Sequence, residues 1–214
     1  MEKRITIEER ARLIQETVST LYPHAHCELV HHNALELIIA IALSAQTTDE
    51  AVNKTTAVLF HKYPTLQHYL DAPLEEIMAV IKHLGLYQNK ARNLKAMVER
   101  IATEFGGEVP STQSDLESLP GVGRKTANVF LAVWHHIPRI AVDTHVERVS
   151  KRLGLVPEDA NVVSVEETLM KRYPQSAWID LHHQLLFFGR YFCTAKSPRC
   201  RECPLLSICR KPQL

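Results

Sequence analysis

Apolar residues recur along the chain at intervals of three and four, the spacing that gathers one face of an α-helix. The pattern is clear in Val52, Ala57, Val58 and Phe60, and again in Ile77, Val80, Ile81 and Leu84. The strict alternation of a half-buried strand is scarce. Five stretches have the form of a capping box, in which a hydroxyl and a carboxylate each satisfy a backbone N–H at a helix start. They are Thr6-x-x-Glu9, Thr47-x-x-Glu50, Ser114-x-x-Glu117, Thr144-x-x-Glu147 and Ser164-x-x-Glu167. Breaks fall at Tyr22-Pro23, Tyr63-Pro64, Gly106-Gly107, Pro138, Gly154 and Tyr173-Pro174. About ten helices joined by short loops follow, and the fold class is all-α. The longest apolar run, Leu37 to Leu43, is too short to span a bilayer, so no membrane association is expected.

Composition adds little to this picture. A chain of 214 residues, 45% hydrophobic and 23% charged, allows one large domain or two small ones with ample core. Met1-Glu2-Lys3-Arg4 leads into no apolar segment, so a secretory signal is not expected and the compartment reads as cytoplasmic, where thiols stay reduced. The net charge of +1 does not announce nucleic acid, but its distribution is uneven. From His183 onward, Arg190, Lys196, Arg199, Arg201, Arg210 and Lys211 face a single acid, Glu202. This is either a solvated tail or a local basic face able to meet phosphates.

Four cysteines crowd the same region as Cys193-x6-Cys200-x2-Cys203-x5-Cys209, enough soft thiolate ligands to wrap one metal centre from a single loop. Zinc modules usually supply two short-spaced pairs, and here only Cys200 and Cys203 form one. The spacing also differs from the bacterial ferredoxin run. Spacing therefore favours an iron–sulfur cluster, with zinc as the alternative and disulfides last. Cys27 stands apart and reads as a packed small hydrophobe.

A second constellation is Leu119-Pro120-Gly121-Val122-Gly123-Arg124-Lys125-Thr126-Ala127, lying between two helical patterns. Gly121 and Gly123 let the backbone turn tightly and approach a partner with no Cβ in the way. The first N–H groups of the helix that follows form a ready anion site. This is the logic of a helix–hairpin–helix, which grips a DNA phosphate without reading sequence. The Walker A phosphate-loop pattern is not present here, and the bland alternative is a plain turn between packed helices.

These segments, together with Ala141-Val142-Asp143-Thr144-His145-Val146 and Leu43-Ser44-Ala45-Gln46-Thr47-Thr48-Asp49, resemble the bacterial endonuclease III family over nearly the whole chain, from about Ala11 to Cys209. That family comprises DNA glycosylases with AP-lyase activity in the helix–hairpin–helix–Gly-Pro-Asp superfamily. The resemblance implies a [4Fe-4S] cluster on Cys193, Cys200, Cys203 and Cys209. It implies two helical domains with a DNA-binding cleft between them: a six-helix domain over 27–137, and a second formed by 1–26 with 138–214. Lys125 and Asp143 would then face each other across the cleft. The implied partner is double-stranded DNA carrying damaged pyrimidines or abasic sites, bound by a monomer.

The residues suit these roles. To attack a sugar carbon, Lys125 must be a neutral amine, although a lysine ordinarily titrates at about 10.4. Desolvation and the positive end of a helix both disfavour its ammonium form. Asp143 is expected to stabilise positive charge at the sugar and to assist the amine as a base. The plainer readings are a phosphate-gripping lysine and an acid complementing a helix dipole. By resemblance Gln46 and Leu86 fill the gap left by a flipped nucleotide, Gln46 as an amide facing the orphaned base and Leu86 as an apolar wedge. Gly121, Gly123, His145 and Lys196 are further expected DNA contacts. The cluster is read as structural, pinning its loop so that Lys196, Arg199 and Arg201 meet the DNA backbone. Superfamily relatives without a lysine at position 125 act as glycosylases only, so its presence implies the lyase step and oxidised pyrimidines as substrates. A non-catalytic DNA-binding module would leave Lys125 and Asp143 without a use, and an iron–sulfur electron carrier would leave the hairpin idle.

Overall fold

The computed structural model describes residues 5–213; the polar Met1-Glu2-Lys3-Arg4 segment lies outside the described residues. Among the described residues there are eleven α-helices and no strand, and no helix is long and apolar enough to cross a membrane.

Of the five expected capping boxes, one opens its helix as written. Helix α1 (Ile7–Leu21) starts at Thr6, whose hydroxyl accepts from the Glu9 N–H at 3.1 Å while the Glu9 carboxylate accepts from the Thr6 N–H at 3.2 Å. Elsewhere a better acceptor upstream, or one residue downstream, takes the position. Thr48 rather than Thr47 caps α3 (Asp49–Lys62), and Thr112 rather than Ser114 caps α7 (Gln113–Ser118). Asp143 rather than Thr144 caps α9 (Thr144–Arg152), and Asn161 rather than Ser164 caps α10 (Val162–Arg172). Ser, Thr and Glu also populate first helical turns, so the four-residue pattern persists when its frame is shifted. The buried face of α3 differs too. It is Val52, Thr55, Thr56 and Leu59, whereas Ala57 and Val58 are exposed. The two threonine hydroxyls donate back to Ala51 O and Asn53 O, which lets this face turn inward at little polar cost.

The chain divides into two compact units, one over Glu28–His136 and one combining Met1–Cys27 with Ile137–Leu214. In the first, α2 (Ala34–Leu43) is apolar almost all round and buried from Leu37 to Ile41, which makes it the central helix. Helices α3, α6 (Tyr87–Glu104) and α8 (Arg124–Trp134) pack around it. Helices α4 (Leu66–Asp71) and α5 (Leu74–Ile81) lie on α6. Lys95 of α6 binds the end of α4, donating to Tyr69 O, Leu70 O and Ala72 O at 2.9, 2.6 and 3.0 Å.

The second unit is built on α1, α9, α10 and α11 (Trp178–Phe187), whose core includes Ile14, Val18, Val149, Leu169, Leu185 and Phe188. Arg10 ties its distant segments together, donating to Leu153 O at 2.8 Å and to Ile208 O. Helix α11 does not stop at its last α-turn. Residues Phe188–Phe192 widen into a π-turn closed by Cys193 N–H to Phe188 O at 2.6 Å, five residues back, and so deliver Cys193 to the cysteine loop.

Candidate functional site

The hairpin is a turn with its glycines used for two different purposes. Leu119-Pro120-Gly121-Val122 closes through Val122 N–H to Leu119 O at 3.0 Å, and Gly121 sits at φ +82° in the third position, the type II pattern. A Cβ on Gly121 would also stand 3.0 Å from Cβ of Asn93, so the turn is pressed against α6. Around Gly123 a Cβ would meet nothing within 4 Å. That glycine leaves an open approach to the start of α8, for which it is the N-cap residue and offers no capping side chain. Lys125, half-buried, is the second residue of α8, placed in its first turn as expected.

Two more segments of this unit come to the same place. Gln46, exposed, has φ +54° within Ser44-Ala45-Gln46-Thr47, a turn closed by Thr47 N–H to Ser44 O at 3.0 Å. Leu86 has φ +59°, forms the N-cap of α6 and leaves 60% of its surface exposed, far from the core leucine that composition alone would suggest. Among the described residues only His136 shares this left-handed backbone without being glycine. Each such residue stores roughly 1–2 kcal/mol of strain, which persists where the surroundings impose it. A recess lined by Ala45, Leu86, Lys90, Asn93, Pro120 and Gly121 joins the Gln46 turn, the Leu86 cap and the hairpin.

The second unit carries the other predicted residues. Asp143 is half-buried, and its Oδ1 accepts from the His145 and Val146 N–H groups at 2.9 and 2.8 Å, so the carboxylate is held rigidly at the start of α9. Arg148, one turn on, donates to Gly189 O at 2.7 Å and to Cys193 O at 3.2 Å, and lies 3.2 Å from His145 Nδ1. Burial pushes its pKa down, and the like charge of Arg152 adds to that. The start of α9 is thus tied to the π-turn. A Cβ on Gly189 would stand 2.8 Å from Cβ of His145 and 3.1 Å from its carbonyl oxygen. Gly189→Ala is therefore expected to lower stability by about 1–3 kcal/mol, measurable as a fall in the denaturant midpoint.

None of the five cysteines is in a disulfide. Cys193, Cys200, Cys203 and Cys209 line one recess with Phe188, Phe192, Pro198 and Leu206. Burial pushes the Cys203 and Cys209 thiols up, against backbone hydrogen bonds that pull them down, and the charge of neighbouring cysteines adds to the rise. Among the described residues no three of His, Cys, Asp or Glu form a set that could hold a single metal ion. Arg152 braces the loop, donating to Thr194 O at 2.7 Å and Ala195 O at 3.0 Å, with Cys193 Sγ at 3.4 Å. Lys196 and Arg201 are exposed. The expected basic face is narrower than its residue count, because Arg199 pairs with Glu202 and Lys211 pairs with Glu158.

Residues 39–175 match the model of the HhH-GPD superfamily of base excision DNA repair proteins. Endonuclease III of Bacillus subtilis (strain 168) is 55% identical over 196 residues, 92% of this chain and 90% of that protein. This chain belongs to the endonuclease III family. The Escherichia coli (strain K12) endonuclease III is 44% identical over 187 residues, 87% of this chain and 88% of the relative. A solved endonuclease III trapped as a covalent intermediate with DNA, an estranged-adenine complex, matches with a TM-score of 0.94 at 50% identity, over 96% of this chain and 97% of that one. Sequence reasoning missed four members of this endonuclease III scaffold: Lys90, Arg148, Arg152 and Gly189. Lys90 and the two arginines sit on polar helix surfaces by pattern, where a cation reads as solvated. Only the i, i+4 spacing of Arg148 and Arg152 hinted at a shared target.

Proposed function

We propose that this chain excises oxidised pyrimidines from duplex DNA and then cuts the strand 3′ to the abasic site, with Lys125 as nucleophile and Asp143 as its carboxylate partner. The observation that carries this reading is the placement of Lys125 in the first turn of α8, directly after a type II turn and an open, side-chain-free N-cap. That N-terminus presents backbone N–H groups to a phosphate, which would bring a nucleotide beside the lysine.

The steps follow from the chemistry of an amine. Lys125 Nζ forms a bond to C1′ as the C1′–N glycosidic bond breaks, and the base leaves with the electron pair and takes a proton. Asp143 stabilises the positive charge that develops on the sugar and accepts the proton lost by the amine. The ring oxygen then departs from C1′ as a hydroxyl, leaving a Schiff base. Loss of a C2′ proton drives β-elimination, and the 3′ phosphate leaves. Hydrolysis of the imine frees Lys125. While the nucleotide is out of the stack, Gln46 faces the orphaned base and Leu86 separates its neighbours; the strain and exposure of both residues support that use. Gly121, Gly123 and Lys196 are assigned to the DNA backbone, and His145 to a pocket or DNA contact beside Asp143.

The cysteine recess fits a [4Fe-4S] cluster held by Cys193, Cys200, Cys203 and Cys209. The four side chains are gathered in one partly buried recess, where burial and then the charge of neighbouring cysteines raise the Cys203 and Cys209 thiols, and a cationic centre reverses that cost. The bound cluster would supply a rigid cross-link, fixing the loop that carries Lys196.

The test is to incubate the protein with a thymine-glycol duplex and sodium borohydride. A covalent protein–DNA adduct together with strand scission is expected. Base release without adduct or scission would place the chain among glycosylases that lack the lyase step.

A further inference from the structure

Lys90 is a buried cation that the proposed chemistry does not use. It lies on α6 with 8% of its surface exposed, and its ammonium donates to Thr47 Oγ1 at 2.6 Å. Thr47 is the residue whose N–H closes the strained Gln46 turn. On the other side, the Lys90 N–H donates to Leu86 O at 3.0 Å, the first hydrogen bond of α6. One residue thus holds the Gln46 turn by its side chain and the Leu86 cap by its backbone. Three residues further along the same helix, Asn93 receives the hairpin at Gly121.

We propose that Lys90 is a positioning residue that fixes the Gln46 turn and the Leu86 wedge at a set separation, so that both enter the opened duplex as one piece. This rests on the reading of Gln46 and Leu86 as the residues that fill the gap. The physical case is one of preorganisation. Two loops ordered only on binding would each add an entropic cost to flipping the nucleotide, and a buried charge-assisted hydrogen bond removes part of it in advance. Stability alone gives weak reason to keep a lysine here. Burial pushes its pKa down, and an apolar side chain of similar length would sit in the same space at no desolvation cost.

The experiment uses the full chain with the Lys90→Met, Thr47→Val and combined variants. Single-turnover base release is followed on thymine glycol in a paired duplex and in a bubble of unpaired bases. Stopped-flow fluorescence of 2-aminopurine beside the lesion reports opening. Lys90→Met is expected to slow opening and release about tenfold on the paired duplex and much less in the bubble, with its melting temperature not lowered. Thr47→Val should act the same way, and the combined variant should be no slower than the slower single one. Equal losses on both substrates, a lowered melting temperature with proportionate loss, or additive losses in the combined variant would overturn the proposal. Gln46→Ala and Leu86→Ala separate it from its foundation. If they slow opening while Lys90→Met matches wild type, positioning by Lys90 is wrong and gap filling stands. If neither slows opening, the gap-filling reading itself is wrong.

Discussion

Lys125→Gln is expected to abolish the borohydride-trapped adduct and to reduce strand scission by about three orders of magnitude or more. An amide nitrogen has no available electron pair for C1′ and cannot form an imine, so no route to β-elimination through the enzyme remains. The fold should not suffer. Position 125 is a half-buried site in the first turn of α8, where glutamine is as good a helix former as lysine. The melting temperature should therefore stay within a few degrees of wild type, the range expected for a substitution that breaks no core contact or cap. DNA binding measured by fluorescence anisotropy should survive, because the hairpin's backbone grip does not pass through this side chain. Retention of a trapped adduct in the variant would move the nucleophile to another amine.

The second large effect separates two uses of one carboxylate. Asp143 both caps α9, accepting from two N–H groups, and is assigned to the sugar. Asp143→Asn keeps an oxygen at the cap but loses the charge and the proton acceptor. It should cut single-turnover base release by about 10²–10⁴-fold with little change in melting temperature. Asp143→Ala should match that loss of activity and in addition lose about 1 kcal/mol of stability with the cap. The difference between the two variants in a denaturation experiment isolates capping, and their common deficit isolates catalysis. If Asp143→Asn were as active as wild type, Asp143 would be a cap and nothing more.

How much of this could be read from the chain depended on how local the cause was. The all-helical class followed from periodicity, and the proline and glycine breaks marked most helix ends, because both effects act within a few residues. The hairpin was legible for the same reason, since proline followed by glycine specifies a type II turn almost unaided. Capping boxes misled at four starts because the decision lay with an upstream Asn, Asp or Thr, or with the neighbouring Thr48, that the pattern did not include. The left-handed backbone at Gln46 and Leu86 was invisible in composition, as neither residue favours it; long-range packing imposes it. The same holds for Lys90, whose partner Thr47 is 43 residues away.

The reach of Arg10 has a consequence in time rather than space. Its acceptor at Ile208 is 198 residues downstream, and the unit over Glu28–His136 is synthesised entirely between them. At translation rates of about 5–20 residues per second, α1 waits about 10–40 s for that partner. Throughout that interval the face bearing Ala11, Ile14 and Val18 has no finished surface to cover it, although the intervening unit can fold. The cysteine loop emerges with the last segments, so closure of that loop and docking of α1 become nearly simultaneous events. Nascent chains stalled before Ile208 should accordingly bind chaperones through α1, while those stalled beyond the folded Glu28–His136 unit already protect that unit from proteolysis.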